Sequence, residues 1–275
     1  MSAQVKTKGI PNWVQRFDAH QRYQHFLLFS SMTGLFLTGF PIKYADMAWS
    51  KFVVLDLFRG FDHLFITHLV CAVLMLTSGV YHIAYLLIHR PKAAMMPGLK
   101  DVKDAYHHAL FLLGLRKERP KYGRYTYLEK FEYLAVGYGI VVMGLSGFVL
   151  WFPDVAASVL PRWVIAMFRI AHSNEAIVAL LAVVIGHFFW VHFNPDSFPT
   201  SPVWYSGKIS KHHLKEEHAL EYEKMVEIYG ETEELHEAEH LPRMAKNRIF
   251  MAVELVIYIA LVGWIFSMFI PKILA

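Results

Sequence analysis

The chain has 275 residues, of which 55% are hydrophobic and 18% are charged. Soluble domains usually carry about 25% charged residues, so the composition excludes an ordinary soluble globular domain. The net charge of +4 reflects basic residues grouped in a few loops and gives no indication of nucleic-acid binding. The single cysteine, Cys71, excludes a disulfide framework.

Five apolar blocks are long enough to cross a hydrocarbon layer of about 30 Å. Each is predicted to be a helix, because the bilayer core offers no water to satisfy open backbone groups. The fourth block is predicted to start as a helix near Trp163. In chain order, the blocks comprise residues 26–42, 64–88, 133–153, 176–195 and 255–271.

Lysine and arginine in the loops predict the orientation, because cytoplasmic loops of membrane proteins are enriched in these residues. The segment before the first block and the 89–130 loop are rich in them, whereas residues 43–62 and 154–162 are poor in them. We therefore expect a cytoplasmic N-terminus and a C-terminus outside. The predicted regions are a cytoplasmic N-terminal segment (1–24), a four-helix transmembrane domain (25–193), a cytoplasmic acidic and histidine-rich insert (194–247) and a fifth transmembrane helix (248–275).

Four histidines occur at matched spacings in the second and fourth blocks. His68 and His82 are fourteen residues apart, and His172 and His187 are fifteen apart, which on an α-helix corresponds to about 21 and 22 Å. Because both helices run inward, one histidine of each pair is expected near the outer surface and the other near the inner surface. Two imidazoles facing each other at one depth are suitable axial ligands for haem iron. The pattern therefore predicts two haems. The predicted fold class is an all-α integral membrane protein, with a four-helix transmembrane haem-binding bundle and a fifth C-terminal transmembrane helix.

Two questions about these histidines stay open at this point. A single histidine in a membrane helix can simply hydrogen-bond to a neighbouring helix, although ionisable groups in a span are costly and usually functional. His25 opens the first block at the inner level and therefore competes with His82 to face His187. A third haem that uses both His25 and His82 also fits the pattern.

The insert between the fourth and fifth blocks contains the motif HEAEH at residues 236–240. It matches the HExxH pattern of zinc metalloproteases. The match arises easily in a run crowded with glutamate and histidine, and the sequence offers no evident third ligand. We expect solvated surface helices in this region.

Several segments occur in an order that is typical of one group of membrane cytochromes. They are RYQHFLLFSSMTGLFLTG (22–39), THLVCAVLM (67–75), GRYTYLEKFEY (123–133) and RIAHSNEAI with IGHFFWVHF (169–193). Over roughly residues 16 to 193, the chain resembles the cytochrome b (gamma) subunit of membrane-bound formate dehydrogenases. Related b-type subunits belong to nickel-iron hydrogenases and thiosulfate reductases.

The resemblance implies ligands for the haem b groups. It implies His68 and His172 for the outer haem, in agreement with the spacing argument, and His25 and His187 for the inner haem. His82 instead matches the two-helix pattern of the cytochrome b in bc-type complexes. The second ligand of the inner haem therefore stays open, with two or three haems expected in total.

The resemblance also implies a function. The chain is expected to be an electron-transfer subunit of a respiratory chain in a bacterial-type inner membrane, linking an iron–sulfur partner subunit of an oxidoreductase to menaquinone or ubiquinone. The resemblance implies that the quinone site lies in the stretch before the third block and is formed by Tyr125, Thr126, Glu129 and Lys130. These residues are also typical of the aromatic and charged belt at a membrane–water interface. The alternatives are a self-contained transmembrane haem reductase and, from another class, a proton or solute transporter with a histidine relay.

Overall fold

The computed structural model describes residues 9–90, 94–194, 198, 200–231 and 248–273, so the HEAEH motif lies outside the described residues. Within these residues, five helices are long and apolar enough to cross a membrane, and we call them spans 1 to 5. In chain order, they are Ala19–Lys43, Phe61–His89, Tyr127–Trp151, Arg162–His192 and Arg248–Met268. The predicted fold class, an all-α integral membrane protein, is confirmed.

The spans begin and end at other residues than the apolar blocks suggest. Span 3 begins at Tyr127, six residues before its block, because its first turns are polar and still helical. In chain order, the helices are α1 (Ala19–Lys43), α2 (Ala48–Phe52), α3 (Phe61–His89), α4 (Leu99–Leu112), α5 (Tyr127–Trp151), α6 (Pro153–Val159), α7 (Arg162–Leu181), α8 (Phe188–His192), α9 (Val203–Ser206), α10 (Lys211–Glu217), α11 (Ala219–Tyr229) and α12 (Arg248–Ile273).

Span 4 is not a uniform α-helix. Helices α7 and α8 are joined by a π-helical segment, Ala182–His187, and a second π-helical segment, Val53–Leu57, follows α2. A π-helix has more residues per turn than an α-helix and commonly marks a functional site. The segment in span 4 therefore turns His187 to a different side of the helix from the one that α-helical spacing predicts.

The spans expose apolar side chains, as lipid requires, and bury several small polar ones. Small hydroxyl side chains are almost fully buried between helices, at Ser31, Thr38, Ser78 and Ser146. Such residues allow membrane helices to approach closely and to bond to one another. Many apolar side chains point outward instead, among them Val80, Leu87, Val141 and Val256.

The chain divides into two compact units. The helical unit comprises residues 23–90, 135–188 and 255–275, and the loop unit comprises residues 1–22, 91–134 and 189–254. Inside the helical unit, one apolar cluster packs α1, α7 and α12 around Phe40, Leu180 and Met268.

The loop unit contains a small sheet that the all-α prediction lacks. Strand β1 (Trp13–Gln15) pairs antiparallel with β2 (Lys208–Ser210), and Val14 lies opposite Ile209. Ile10, Ile209, Leu214 and Tyr222 form a small apolar core beneath it. The described part of the insert, residues 200–231, therefore contains the helices α10 and α11 and packs against residues 10–15 of the N-terminal segment.

Helix α4 buries two polar side chains, those of Asp104 and His108. Its exposed residues include apolar ones such as Leu99 and Val102 together with the basic residues Lys100 and Lys103. A mixed apolar and basic exposed surface is typical of helices that lie on a membrane surface.

Candidate haem-binding sites

Two histidines from neighbouring spans meet at the first candidate site. His68 lies on α3 and His172 on α7, and their ring centroids are 6.5 Å apart with an angle of 66° between the ring planes. The structure thus brings together the pair that the spacing argument predicts for the outer level.

A hydroxyl group sets the tautomer of each of these histidines. The Thr38 hydroxyl donates its hydrogen to the carbonyl of Gly34 and therefore accepts a hydrogen bond from Nδ1 of His68 at 2.8 Å. The Ser146 hydroxyl donates to the carbonyl of Val142 and accepts from Nδ1 of His172 at 2.9 Å. With the proton on Nδ1, the lone pair resides on Nε2, the form that a metal ion binds.

A glycine follows each of these hydroxyl residues and contacts the same ring. A Cβ atom added at Gly39 would lie 3.1 Å from Cε1 of His68, and one added at Gly147 would lie 3.2 Å from Cε1 of His172. A larger residue would push the ring away. The four residues belong to two copies of one motif, LTGF at 37–40 and LSGF at 145–148. Sequence reasoning missed this repeat, which was visible and would have identified both supporting pairs.

The second candidate site pairs a histidine of span 1 with one of span 4. The ring centroids of His25 and His187 are 6.2 Å apart, with an angle of 45° between the ring planes. The π-helical segment that ends at His187 gives the physical reason, because it changes the direction in which this side chain leaves the helix.

His82 is placed differently from His25. Its Nδ1 lies 2.8 Å from Oε1 of Gln24, the residue directly before His25, and Nε2 of Gln24 is buried without a hydrogen-bond partner. The sequence leaves both His25 and His82 open as the partner of His187, and the ring geometry favours His25. Whether His82 binds a further haem stays a prediction.

Both pairs have the separation that a shared metal ion requires. Two imidazoles that bind one metal ion from opposite sides, with metal–nitrogen bonds of about 2 Å, have ring centroids roughly 6 Å apart. The two observed separations agree with this value, and the differing plane angles do not matter, because each ring can rotate about its nitrogen–metal axis. The donor set, two neutral imidazoles per site, is one that haem iron accepts.

Residues 16–196 match the model of the prokaryotic cytochrome b561 family. This range covers well over half of the chain and contains all five histidines discussed above. The chain belongs to the prokaryotic cytochrome b561 family. It is a membrane b-type cytochrome for transmembrane electron transfer, and it binds haem b. No curated protein sequence matches the chain.

The predicted quinone residues of this cytochrome lie at the start of span 3. Thr126 and Glu129 form a capping box: the Glu129 carboxylate accepts a hydrogen bond from the backbone N–H of Thr126 at 2.7 Å, and the Thr126 hydroxyl accepts one from the N–H of Glu129 at 3.2 Å. Such a box satisfies the open donors at a helix N-terminus. The two residues thus have a structural function in beginning α5, whatever else they do.

The other two residues of this stretch are also held in place. Lys130 forms an ion pair with Asp101 of α4 at 2.8 Å. The ring of Tyr125 lies beneath the guanidinium groups of Arg16 and Arg124, at 5.5 and 5.7 Å from its centroid. The structure therefore brings the four predicted residues into one ordered corner of the loop unit of the cytochrome.

An ionic network centred on the buried Arg16 links these residues to the insert. Arg16, almost fully buried, forms an ion pair with Glu221 at 2.9 Å and approaches Glu129 at 3.9 Å. Arg124 reaches the other oxygen of Glu221, also at 2.9 Å. The buried charge of Arg16 therefore has opposite charges beside it, and removing Glu221 would leave that charge without its nearest partner.

His218 completes this network in its neutral form. Its Nε2 lies 3.0 Å from Nη2 of Arg16, and its Nδ1 lies 2.8 Å from the carbonyl of Gly123, so Nδ1 donates the hydrogen bond. Burial, assisted by the positive charge of Arg16, lowers the pKa of His218 to about 4. Arg16, Gly123 and His218 therefore link the N-terminal segment, the residues before span 3 and the insert.

Proposed function

We propose that this cytochrome is the membrane subunit of a respiratory oxidoreductase similar to formate dehydrogenase. It accepts electrons from an iron–sulfur partner subunit and passes them to the quinone pool. The observation that carries the proposal is the presence of two histidine pairs at haem-ligating separation, His68 with His172 and His25 with His187. A transporter with a histidine relay has no need of imidazoles paired in this way.

In this proposal the histidine pairs hold two haems, which supply the one-electron redox centres of the route. His68 and His172 hold the outer haem. Thr38 and Ser146 accept hydrogen bonds from the Nδ1 atoms of these histidines, which leaves each histidine Nε2 atom free to bind iron. His25 and His187 hold the inner haem. His82 fixes Gln24 and with it the start of span 1 beside His25.

The quinone reacts, in this proposal, at the stretch Tyr125, Thr126, Glu129 and Lys130. Reduction of a quinone consumes two electrons and two protons, so the site needs hydrogen-bond donors and acid–base groups. Tyr125 offers a hydroxyl, and Glu129 and Lys130 offer groups that carry protons. The ordering of this corner by Arg16 and the insert supports such a function, because a reaction site must hold its groups in fixed positions.

The direction of electron flow follows from the expected orientation. The basic loops put the quinone stretch on the cytoplasmic side, and the partner subunit then docks outside against residues 43–62 and 154–162. Electrons that pass inward to meet cytoplasmic protons contribute to the membrane potential. Carrying one charge across 100 mV involves about 2.3 kcal/mol.

The first test is the haem content of the purified full chain. Acid acetone should extract at least two haems of b type per chain, because histidine ligation without a covalent thioether leaves haem extractable. Fewer than one haem per chain would overturn the assignment of both pairs.

The second test addresses the quinone stretch. The haems are reduced with stoichiometric dithionite and then mixed with a soluble quinone analogue. Tyr125→Phe combined with Glu129→Gln should retain the haems and slow their reoxidation, and glutamine still fills the capping box with Thr126. Reoxidation at the wild-type rate would show that quinone reacts elsewhere.

A further inference from the structure

A carboxylate from the fifth span reaches a histidine at the end of the fourth. Oε1 of Glu254, on α12, lies 2.9 Å from Nδ1 of His192, the last residue of α8. Both side chains are largely buried, with 10% and 13% of their surfaces exposed. The second carboxylate oxygen, Oε2 of Glu254, is buried without a hydrogen-bond partner.

This pair is costly if its only function is to hold two helices together. A charged group within a span is expensive, and such groups usually belong to ion or proton pathways. An unpartnered buried carboxylate oxygen adds a further desolvation cost. Any residue with an amide side chain could make the same hydrogen bond without an ionisable group.

The pair is well suited to hold one exchangeable proton. The proton can reside on the imidazole, which gives a carboxylate beside an imidazolium, or on Oε2, which gives a carboxylic acid beside a neutral imidazole. In either state the hydrogen bond between Nδ1 and Oε1 is kept. The unpartnered oxygen is therefore the position at which a proton can be given to another molecule.

We propose that Glu254 and His192 form a proton-transfer site for the quinone reaction, so this inference rests on the proposed function. The quinone takes up two electrons and two protons to become the quinol. For each proton, the O–H bond of the Glu254 carboxyl breaks, the proton passes through water to the site at residues 125–130, and a new O–H bond forms on an oxygen of the quinone that reacts there. The resulting carboxylate regains a proton from water by way of His192.

The position of the pair in the chain supports this function. His192 is the last residue of span 4, and Glu254 lies in the second turn of span 5, so the pair is near the ends of both spans that adjoin the insert. The family match ends at residue 196, so span 5 lies outside it. The proposal gives this helix a function of its own, namely to carry the acid.

An isosteric change separates proton transfer from helix packing. In Glu254→Gln, the amide oxygen still accepts the hydrogen bond from His192, but the side chain cannot carry a proton. In Glu254→Asp, a shorter side chain keeps the ionisable group. The matched control is Glu227→Gln, because Glu227 is exposed on α11 of the same unit.

The experiment uses the full chain with its haems reduced by stoichiometric dithionite. After mixing with a soluble quinone analogue, haem reoxidation is followed by absorbance and proton uptake by a pH-sensitive dye. Glu254→Gln should retain its haems and slow both signals by about a hundredfold, the lower end of what a positioned proton donor contributes. Glu254→Asp should recover most of the rate, and Glu227→Gln should match the wild type.

The outcomes separate this inference from the proposed function. Wild-type rates of reoxidation and proton uptake in Glu254→Gln would overturn the inference alone. Equal slowing in Glu254→Asp and Glu254→Gln would also overturn it, because the rate would then depend on shape rather than on an ionisable group. A wild-type protein with intact haems that no quinone reoxidises would overturn the proposed function and this inference with it.

Discussion

The Thr38 hydroxyl lies 2.8 Å from Nδ1 of His68, and it accepts that hydrogen bond because its own hydrogen is donated to the carbonyl of Gly34. Ser146 has the same relation to His172. Each hydroxyl thus fixes the tautomer and orientation of a histidine ring that lies on another helix. Thr38 is on α1 and Ser146 on α5, whereas the histidines are on α3 and α7. Loss of a hydrogen-bond partner of this kind typically lowers metal affinity by about 10- to 100-fold.

Replacing Thr38 by valine should weaken the outer haem without removing its ligand. The variant keeps the shape of the side chain but leaves Nδ1–H of His68 without an acceptor, so the affinity should fall by about 10- to 100-fold. Haem loss to apomyoglobin measures this change. Thr77→Val is the matched control, because Thr77 bonds to a carbonyl four residues earlier in the same way but is exposed. Equal haem retention in both variants would contradict the function given to Thr38.

Adding a methyl group at Gly39 should displace His68. The new Cβ would lie 3.1 Å from the ring, which is closer than ordinary carbon contacts, so the imidazole must move. We expect loss of the outer haem, seen as a smaller absorbance change in the reduced-minus-oxidised spectrum. Gly137→Ala on α5 is the control, since a Cβ there meets nothing within 4 Å. A normal spectrum in Gly39→Ala would show that the ring tolerates the displacement.

The inner haem should depend on His25 more than on His82. His25→Leu removes the ring that lies 6.2 Å from His187, so the inner haem should be lost and the outer one kept. His82→Leu should leave both haems in place, because the described contact of His82 is with Gln24. Haem content with redox titration checks both variants. The reverse pattern would restore His82 as the ligand, and loss of one haem from each variant would indicate three haems.

The contact between the insert and the N-terminal segment should weaken in acid. The pKa of His218 is lowered to about 4 in the folded state, so folding favours neutral His218. In the unfolded chain this histidine has a pKa near 6.5, so above that pH its full contribution to the free energy of unfolding is present. As the pH falls from 6.5 towards 4, the free energy of unfolding decreases by about 1.4 kcal/mol per pH unit. Hydrogen exchange in α10 and α11, corrected for its intrinsic pH dependence, should rise over this window.

A variant isolates His218 from the other titrating groups. His218→Gln can still donate to the carbonyl of Gly123 but does not titrate, so exchange in α10 and α11 should depend less on pH. A pH profile unchanged from that of the wild type would assign the effect to other groups, such as Glu217. The pKa of Glu217 is lowered because the hydrogen bond and charge of His213, with the charges of His218 and Arg16, outweigh its burial.

The sequence by itself determined the membrane class, the number of long apolar helices and the outer histidine pair. Hydropathy is a local property that twenty consecutive residues express without help from distant ones. His68 and His172 were predictable as partners because they lie at one depth on helices that run in the same direction. The repeat LTGF and LSGF was equally readable, and attention to it would have added Thr38 and Ser146.

Only the tertiary structure decided which histidine meets His187 and what surrounds residues 125–130. The π-helical segment that ends at His187 changes the direction of that side chain. No residue type in Ala182–His187 predicts a π-helix, because its wider turn is stabilised by packing. The buried pairing of Arg16 with Glu221 joins residues 205 positions apart. The pairing of His192 with Glu254 likewise depends on where α12 packs. Composition cannot specify the partner of a given charged residue, because burial and helix contacts determine it.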